Sequence, residues 1–340
     1  MRAIVYDSPR SFDVREVPTP EPASGEIRVS VIQSGLCGTD LHLHEGQFMA
    51  SFPFTPGHEV VGRVDALGPA VTGFFEGELV TVNPNSACGV CSYCRMGRFL
   101  YCSNFTGIGS SRPGAFAEYL VAPSSQVFSV EGMHPDVAVF TEPTACVAHG
   151  MDTLRPAPGS TALVIGLGPT GMMLAQFLAA SGALTVTVAD AVNFKVERAL
   201  SLGLHDGIAM DRDDLVASLA RLMEMSDGEG YDIVVDATGV AAVVEGCVSL
   251  VRNGGTVLVY GVADENDRVC LSPFEIFRRE ITIKGSFAEI DGFPRAIRAL
   301  RTGRVRTEGL ITHRYSIDRY QEALETLRTD RTAHKIVVYP

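Results

Sequence analysis

The sequence predicts an α/β protein: a β-rich first part, then a doubly wound parallel sheet. Two observations predict it. Up to about residue 130, short strand patterns sit between turns rich in Pro and Gly. From about residue 155, short apolar strands alternate with helical patterns, which implies a parallel sheet covered on both faces. With 46% hydrophobic and 20% charged residues, the chain has the apolar content of a folded globular protein. Its length suggests two or three domains.

In the first part, Glu26-Ile-Arg-Val-Ser-Val31 alternates polar and apolar residues, the period of a half-buried strand. Val60-Val-Gly-Arg-Val64 and Leu79-Val-Thr-Val82 are β-branched runs between turn residues. No helix longer than two turns is expected before residue 135. After it come strands at 162–166, 185–190, 231–236, 255–260 and 281–283. Helices are expected at 171–180, 193–202 (stopped by Gly203), 241–251, 293–302 and 318–329, with a last strand at 335–339.

Charge and cysteine usage narrow the function. Lys plus Arg is 28 and Asp plus Glu is 40, a formal net charge of −12. Such a chain is a poor partner for nucleic acid or an anionic membrane. No charge occurs from Pro156 to Ala189, but Gly166-Leu-Gly-Pro169 and Ser181-Gly182 cut this run into pieces too short to span a membrane. Four of the eight cysteines lie between Cys88 and Cys102, and Met1 to Arg10 lacks a secretory signal pattern. A reducing, cytoplasmic setting is expected.

Gly166-Leu-Gly-Pro-Thr-Gly171 follows an apolar strand and opens a helix. The first glycine allows a tight turn, the second lets a pyrophosphate reach the backbone, and the third lets helix and strand pack closely. The helix N-terminus then receives the phosphate charge. Asp190 ends the next strand, where a carboxylate meets the adenosine ribose. Gly166, Gly168, Pro169, Thr170, Gly171 and Asp190 are therefore the candidate dinucleotide site, with Lys195 nearby. Asp190 favours NAD over NADP, because a 2′-phosphate would meet its charge. Asp236-Ala-Thr-Gly239 ends another strand and is either a plain turn or part of the same crevice.

Cys88-x2-Cys91-x2-Cys94-x7-Cys102 supplies four sulfurs at the spacing of a structural zinc lobe. A four-cysteine iron–sulfur site is the competing reading. Its common bacterial run ends in Cys-Pro, whereas Ser103 follows Cys102. Cys37-Gly-Thr-Asp-Leu-His42, Gly57-His-Glu59 and Thr141-Glu-Pro143 form a second set of Cys, His and carboxylate, which suits zinc but by spacing alone is only suggestive. His44, His134, His149, His205, His313 and His334 read as surface or packing residues. Cys247 and Cys270 read as buried small residues, and Cys146 as a small packing residue. Phe48 and Phe116 are candidates for shaping a substrate pocket.

With Gly114-Ala-Phe-Ala-Glu-Tyr119, Glu142-Pro143 and Ile283-Lys-Gly-Ser-Phe287 added, these motifs resemble the zinc-dependent medium-chain alcohol dehydrogenases, in their polyol (sorbitol-type) and vicinal-diol branch. The resemblance spans essentially the whole chain. It implies a chaperonin-10-like β catalytic domain at 1–152 with its zinc lobe at 88–102. A Rossmann domain at 153–290 and a C-terminal return to the catalytic domain at 291–340 would follow.

It also implies a catalytic zinc held by Cys37 and His58, with Glu59 a close or alternating ligand and Glu142 binding directly or through water. Thr39 would take the alcohol proton, His42 would be the outer base, and Asp40 would hold a ligand in orientation. The implied activity is NAD-dependent oxidation of a secondary alcohol, a polyol first. L-Threonine 3-dehydrogenase or a simple or vicinal-diol alcohol dehydrogenase is the alternative, and a non-enzymatic coenzyme-binding protein the other class. Such proteins form homodimers or homotetramers; edge pairing through 255–262 is compatible with this.

Overall fold

The computed structural model describes residues 1–47 and 50–340. The chain divides into two compact units: 1–145 with 288–302 and 307–340, and 146–287 with 303–306.

The first unit opens with a hairpin, β1 (Arg2–Ser8) and β2 (Ser11–Glu16). The long strand β3 (Glu26–Leu36) buries Ile27, Val29 and Val31 on one face, as its alternation requires. A short helix α1 (Gly38–His44) follows. Strands β4 (Glu59–Leu67) and β5 (Leu79–Val82) then extend the sheet. The cysteine lobe carries β6 (Asn85–Ser86), α2 (Ser92–Arg95) and β7 (Thr106–Gly107). After it come β8 (Tyr119–Pro123), β9 (Val127–Ser129) and α3 (Pro135–Ala138). Helix α4 (Thr141–Leu154) carries the chain into the second unit.

That unit alternates strand and helix: β10 (Thr161–Ile165), α5 (Pro169–Ala180), β11 (Thr185–Asp190), α6 (Asn193–Ser201), β12 (Asp206–Ala209) and α7 (Leu215–Glu224). It continues with β13 (Tyr231–Asp236), α8 (Ala241–Leu250), β14 (Val251–Val259), α9 (Pro273–Arg279) and β15 (Thr282–Gly285). Its six strands are all parallel, in the order β12-β11-β10-β13-β14-β15. The order reverses between β10 and β13, and the crevice beyond the carboxyl ends of those two strands is where such sheets bind ligands. Leu163, Val234, Val257 and Tyr231 lie in the core of this unit.

The chain then returns to the first unit with α10 (Phe293–Arg301), β16 (Ile311–Ser316), α11 (Tyr320–Thr329) and β17 (Lys335–Tyr339). Helix α10 buries Phe293, Ala296, Ile297 and Leu300 while Arg295, Arg298 and Arg301 face out, the one-sided spacing of an amphipathic helix. The sheet of this unit runs β16-β17-β3-β4-β5-β9, with β8 also on β3. Strand β17 lies antiparallel to β3 with Ile336 opposite Leu36. The last strand therefore brings Lys335 to the end of β3, where Cys37 follows.

Three expectations need correction. The run 255–262 is not an edge: β14 is bonded on both sides, and β15 ends the sheet. Cys270 is exposed, because it sits in the irregular stretch before α9, its backbone N–H donating to Glu245. Third, β12, α7, α9 and β16 fill stretches where no element was expected.

Among the described residues, no helix is long and apolar enough to cross a membrane. The apolar run 156–189 is β10, α5 and most of β11.

A side chain at Gly171 would collide with the Gly166 carbonyl oxygen, whereas Gly168 faces open space. Gly171→Val is expected to lower the calorimetric transition of the second unit by about 1–3 kcal/mol through overpacking. Gly168→Ala is expected to stay within about 0.5 kcal/mol of the parent. Equal effects at both positions would contradict this packing.

Candidate active site

Helix α1 positions the residues after Cys37. The Cys37 N–H donates to Asp40 Oδ2 (2.8 Å), so the aspartate closes the first turn on the cysteine that precedes it. Asp40 is buried, and its Oδ1 lies 3.7 Å from His58 Nδ1. Thr39 Oγ1 lies 3.8 Å from Cys37 Sγ. His42 Nδ1 meets Gln47 Oε1 at 3.0 Å.

The ligand atoms of Cys37, His58 and Glu59 lie within 4.8 Å of one another. Glu142, on the first turn of α4 and nearly buried, is not one of this close trio. Its charge still acts on His58 and on Lys335.

Glu59 is wholly buried and engaged: Lys335 Nζ donates to both carboxylate oxygens, at 2.6 and 2.5 Å. Gly35 leaves the space for it, since a Cβ there would overlap the Glu59 carboxylate. Burial alone would hold the His58 ring neutral, but Asp40, Cys37 and Glu142 outweigh it and raise its pKa well above the usual imidazole value. Burial raises the Asp40 carboxyl, against the pull of His58 and the Cys37 N–H. The cluster thus sets four potential anions, Cys37, Asp40, Glu59 and Glu142, against Lys335 and His58. A soft sulfur, an imidazole and surplus carboxylate suit a zinc ion, which would supply the missing positive charge.

The four lobe cysteines also converge, their sulfurs all within 4.8 Å. Backbone N–H groups of Cys88 and Asn104 donate to Cys102 Sγ at 3.2 and 3.3 Å. Those of Cys94 and Ser103 lower the Cys91 thiol to about 6. Such donors stabilise thiolates, the form a metal binds, so the lobe fits a tetrahedral zinc of four sulfurs.

In the second unit the predicted glycines form the turn between β10 and α5, with Gly168 preceding the helix and Pro169 and Thr170 in its first turn. Asp190 accepts from the Leu167 N–H (2.7 Å) and the Val192 N–H (2.8 Å), tying the glycine turn to the end of β11. Lys195 lies half-buried on α6. Asp236 is buried at the end of β13 and accepts from Thr238 and Gly239. The turn it closes packs on the glycine turn, since a Cβ at Gly166 would meet Ala237 and Thr238, so it lies at the same crevice.

Phe116 is wholly buried beside Tyr320, with ring centres 5.2 Å apart, so it is a core residue and not a pocket wall. Phe48 lies outside the described residues.

Sequence reasoning missed two residues of this site. Lys335 stands in an apolar strand, and a charged residue inside Lys-Ile-Val-Val-Tyr was the available signal. Glu289 is also fully buried; it accepts from the Gly292 N–H (2.9 Å) and the Asn85 side chain (3.4 Å). Burial, with the nearby charge of Glu142, pushes its carboxyl up to about 7. No local pattern marks it.

Comparison with known proteins agrees with this geometry. Residues 23–132 match the alcohol dehydrogenase GroES-like domain, and residues 169–301 match the zinc-binding dehydrogenase family. D-Arabinitol dehydrogenase 1 of Uromyces fabae is 42% identical over 100% of this chain and 97% of its own. D-Altritol 5-dehydrogenase of Agrobacterium fabrum is 36% identical over 92% of each. A solved zinc-binding dehydrogenase of Sinorhizobium meliloti, bound to NADP, superposes with a TM-score of 0.92 at 32% identity, covering 100% of this chain and 99% of the other.

Two predictions follow from the buried charges. Lys335→Met leaves Glu59 buried without its cation and is expected to cost about 3–5 kcal/mol of stability. The double substitution Lys335→Met with Glu59→Gln should recover much of that loss in thermal melts; no recovery would mean that the pair is not the cause. Glu289 has a folded pKa above its unfolded one, so its contribution is full below about pH 4.5 and is lost as the pH rises through about 7. Glu289→Gln should therefore gain on the parent between about pH 5 and 8, by up to about 3 kcal/mol. A difference independent of pH would contradict the assignment.

Proposed function

The chain belongs to the zinc-dependent medium-chain alcohol dehydrogenase family, and from that premise we propose that it oxidises a secondary alcohol of a polyol to the ketone, passing hydride to NAD. The observation that carries this reading is the convergence of Cys37, His58 and Glu59 amid surplus negative charge, with Thr39 and His42 on the helix that follows Cys37. The 42% identity with an arabinitol dehydrogenase over the whole chain supports a polyol as substrate.

The β-rich unit is the catalytic domain and the parallel-sheet unit the coenzyme domain. Cys37 and His58 would hold the catalytic zinc with Glu142, directly or through water; Glu59, engaged by Lys335, would be the alternating ligand. The ion would supply Lewis acidity toward the substrate hydroxyl, and NAD would supply the hydride acceptor. Asp40 holds His58 in orientation. The Thr39 hydroxyl takes the alcohol proton and His42 receives it at the outer end of the relay. Cys88, Cys91, Cys94 and Cys102 hold a structural zinc with no position left for substrate.

Gly166, Gly168, Pro169, Thr170 and Gly171 receive the pyrophosphate, and Asp190 meets the adenosine ribose, with Lys195 at its side. The Asp190 carboxylate supports NAD, since a 2′-phosphate would have to approach it.

The convergence of Cys88, Cys91, Cys94 and Cys102 as metal-ligand thiols supports a reducing, cytoplasmic compartment. The unpaired side of β15, with Ile283 and the α9 residues Phe274 and Phe277 exposed, supports a homodimer or homotetramer built by pairing of sheet edges.

One preparation tests the whole reading. NADH formation should be followed by ultraviolet absorbance with pentitols and hexitols, 2,3-butanediol, L-threonine and ethanol, each with NAD and NADP. Metal analysis and light scattering should be run beside it. Turnover of a polyol with NAD is expected, with two zinc ions per chain, one for each donor cluster, and a dimer or tetramer mass. Turnover of L-threonine alone, or of no alcohol with both zincs bound, would sink the polyol assignment.

A further inference from the structure

We propose that Gln47 is the positioning residue of the proton relay: it holds the His42 ring with Nδ1 protonated and leaves the Nε2 lone pair to accept the proton. This rests on the reading of His42 as the outer base.

A helix of seven residues cannot hold itself in water, so its end must be fixed from outside. Here each of the last four carbonyls of α1 has a donor. The Glu45 N–H donates to Leu41 O (3.1 Å), the Gln47 N–H to His42 O (2.9 Å), the Gly46 N–H to Leu43 O (3.0 Å) and the Arg10 N–H to His44 O (2.8 Å). Gly46, at φ +81°, makes the left-handed turn that this closure needs. The hairpin adds a second hold on the helix, since Tyr6 Oη meets His44 Nδ1 at 2.8 Å.

Gln47 grips His42 twice. Its N–H binds the His42 carbonyl, and its side-chain oxygen meets the His42 ring at Nδ1 (3.0 Å). Backbone and side chain thus close a ring on the same histidine, and the glutamine amide has little freedom to leave it.

The chemistry follows from what an amide oxygen can do. It accepts and never donates, so the ring nitrogen facing it must carry the hydrogen. A neutral imidazole has one N–H; with Nδ1 protonated, Nε2 is the basic atom. The opposite tautomer would set two lone pairs against each other at 3.0 Å and put the ring's hydrogen where the relay must deliver one. The protein therefore selects the competent tautomer through a residue five positions away, which itself touches no substrate.

The experiment is ¹⁵N NMR of histidine-labelled holoenzyme at alkaline pH, with His42→Asn used to assign the His42 signals. Tautomers differ clearly in the shifts of their two nitrogens. In the wild type, Nδ1 should be the protonated nitrogen. Gln47→Leu should lose that bias and lower kcat about tenfold, with zinc content and NAD binding unchanged. Gln47→Glu, which keeps an acceptor at the same place, should retain both tautomer and turnover.

Protonation at Nε2 in the wild type would overturn the proposal whatever the variants do. So would a Gln47→Leu enzyme with the parent tautomer. A switched tautomer with unchanged kcat would overturn the role of Gln47 in catalysis and, separately, show that His42 is not the base of the relay.

Discussion

A lysine and a glutamate, both buried, meet between the two ends of the chain. Lys335 and Glu59 lie 276 residues apart in sequence, and neither has water to fall back on. Each is tolerable in the interior only because the other is there. Much of the first unit is arranged around that pair. Gly35 gives up its side chain so that the carboxylate has space. β17 docks on β3 in the register that delivers the ammonium. Cys37 follows β3 directly, and His58 immediately precedes Glu59 at the start of β4. The pair therefore fixes the position of the cluster as well as its charge.

The two units illustrate two ways of placing chemistry on a scaffold. In the second, the binding feature is almost entirely backbone: a turn after a parallel strand, a helix end and one carboxylate that ties them together. Its requirements are local, and local sequence meets them. In the first, the clustered ionisable groups are side chains from the start of α1, β4, α4 and β17, so their meeting depends on long-range pairing. Only α1 is itself a local device, with Asp40 closing its start and Gln47 its end.

That difference explains what could be read from the sequence. The glycine turn, Asp190 and the four-cysteine lobe announce themselves by spacing, and the structure places each at a turn or in a compact cluster. The element β12 was hidden, because four residues with a central glycine carry too little pattern, whereas α7 had a signal that was not used: Asp214, which accepts from the Ala217 N–H, caps Leu215, Leu219 and Leu222 at helical spacing. Helix α9 had a signal that was not used: Ser272-Pro273 with Glu275, whose N–H the serine oxygen accepts. Lys335 and Glu289 are different. Their roles arise from sheet register and from contacts between segments far apart in sequence, and a single residue in a strand or loop cannot reveal those. Cys270 was misjudged because composition says what a residue tolerates, not where a loop leaves it.

The separation of Lys335 from Glu59 has a consequence for how the protein comes into being. A ribosome makes a chain from its N-terminal side onward, so the ammonium that balances Glu59 emerges 276 residues after the carboxylate. Until β17 is released and docks, the nascent first unit holds a carboxylate that must stay wet or protonated. Its sheet also still lacks the β17 partner of β3. Contacts of such long sequence separation close late. The cluster of Cys37, His58 and Glu59 thus gains its balancing cation only after β17 has been made and has docked on β3.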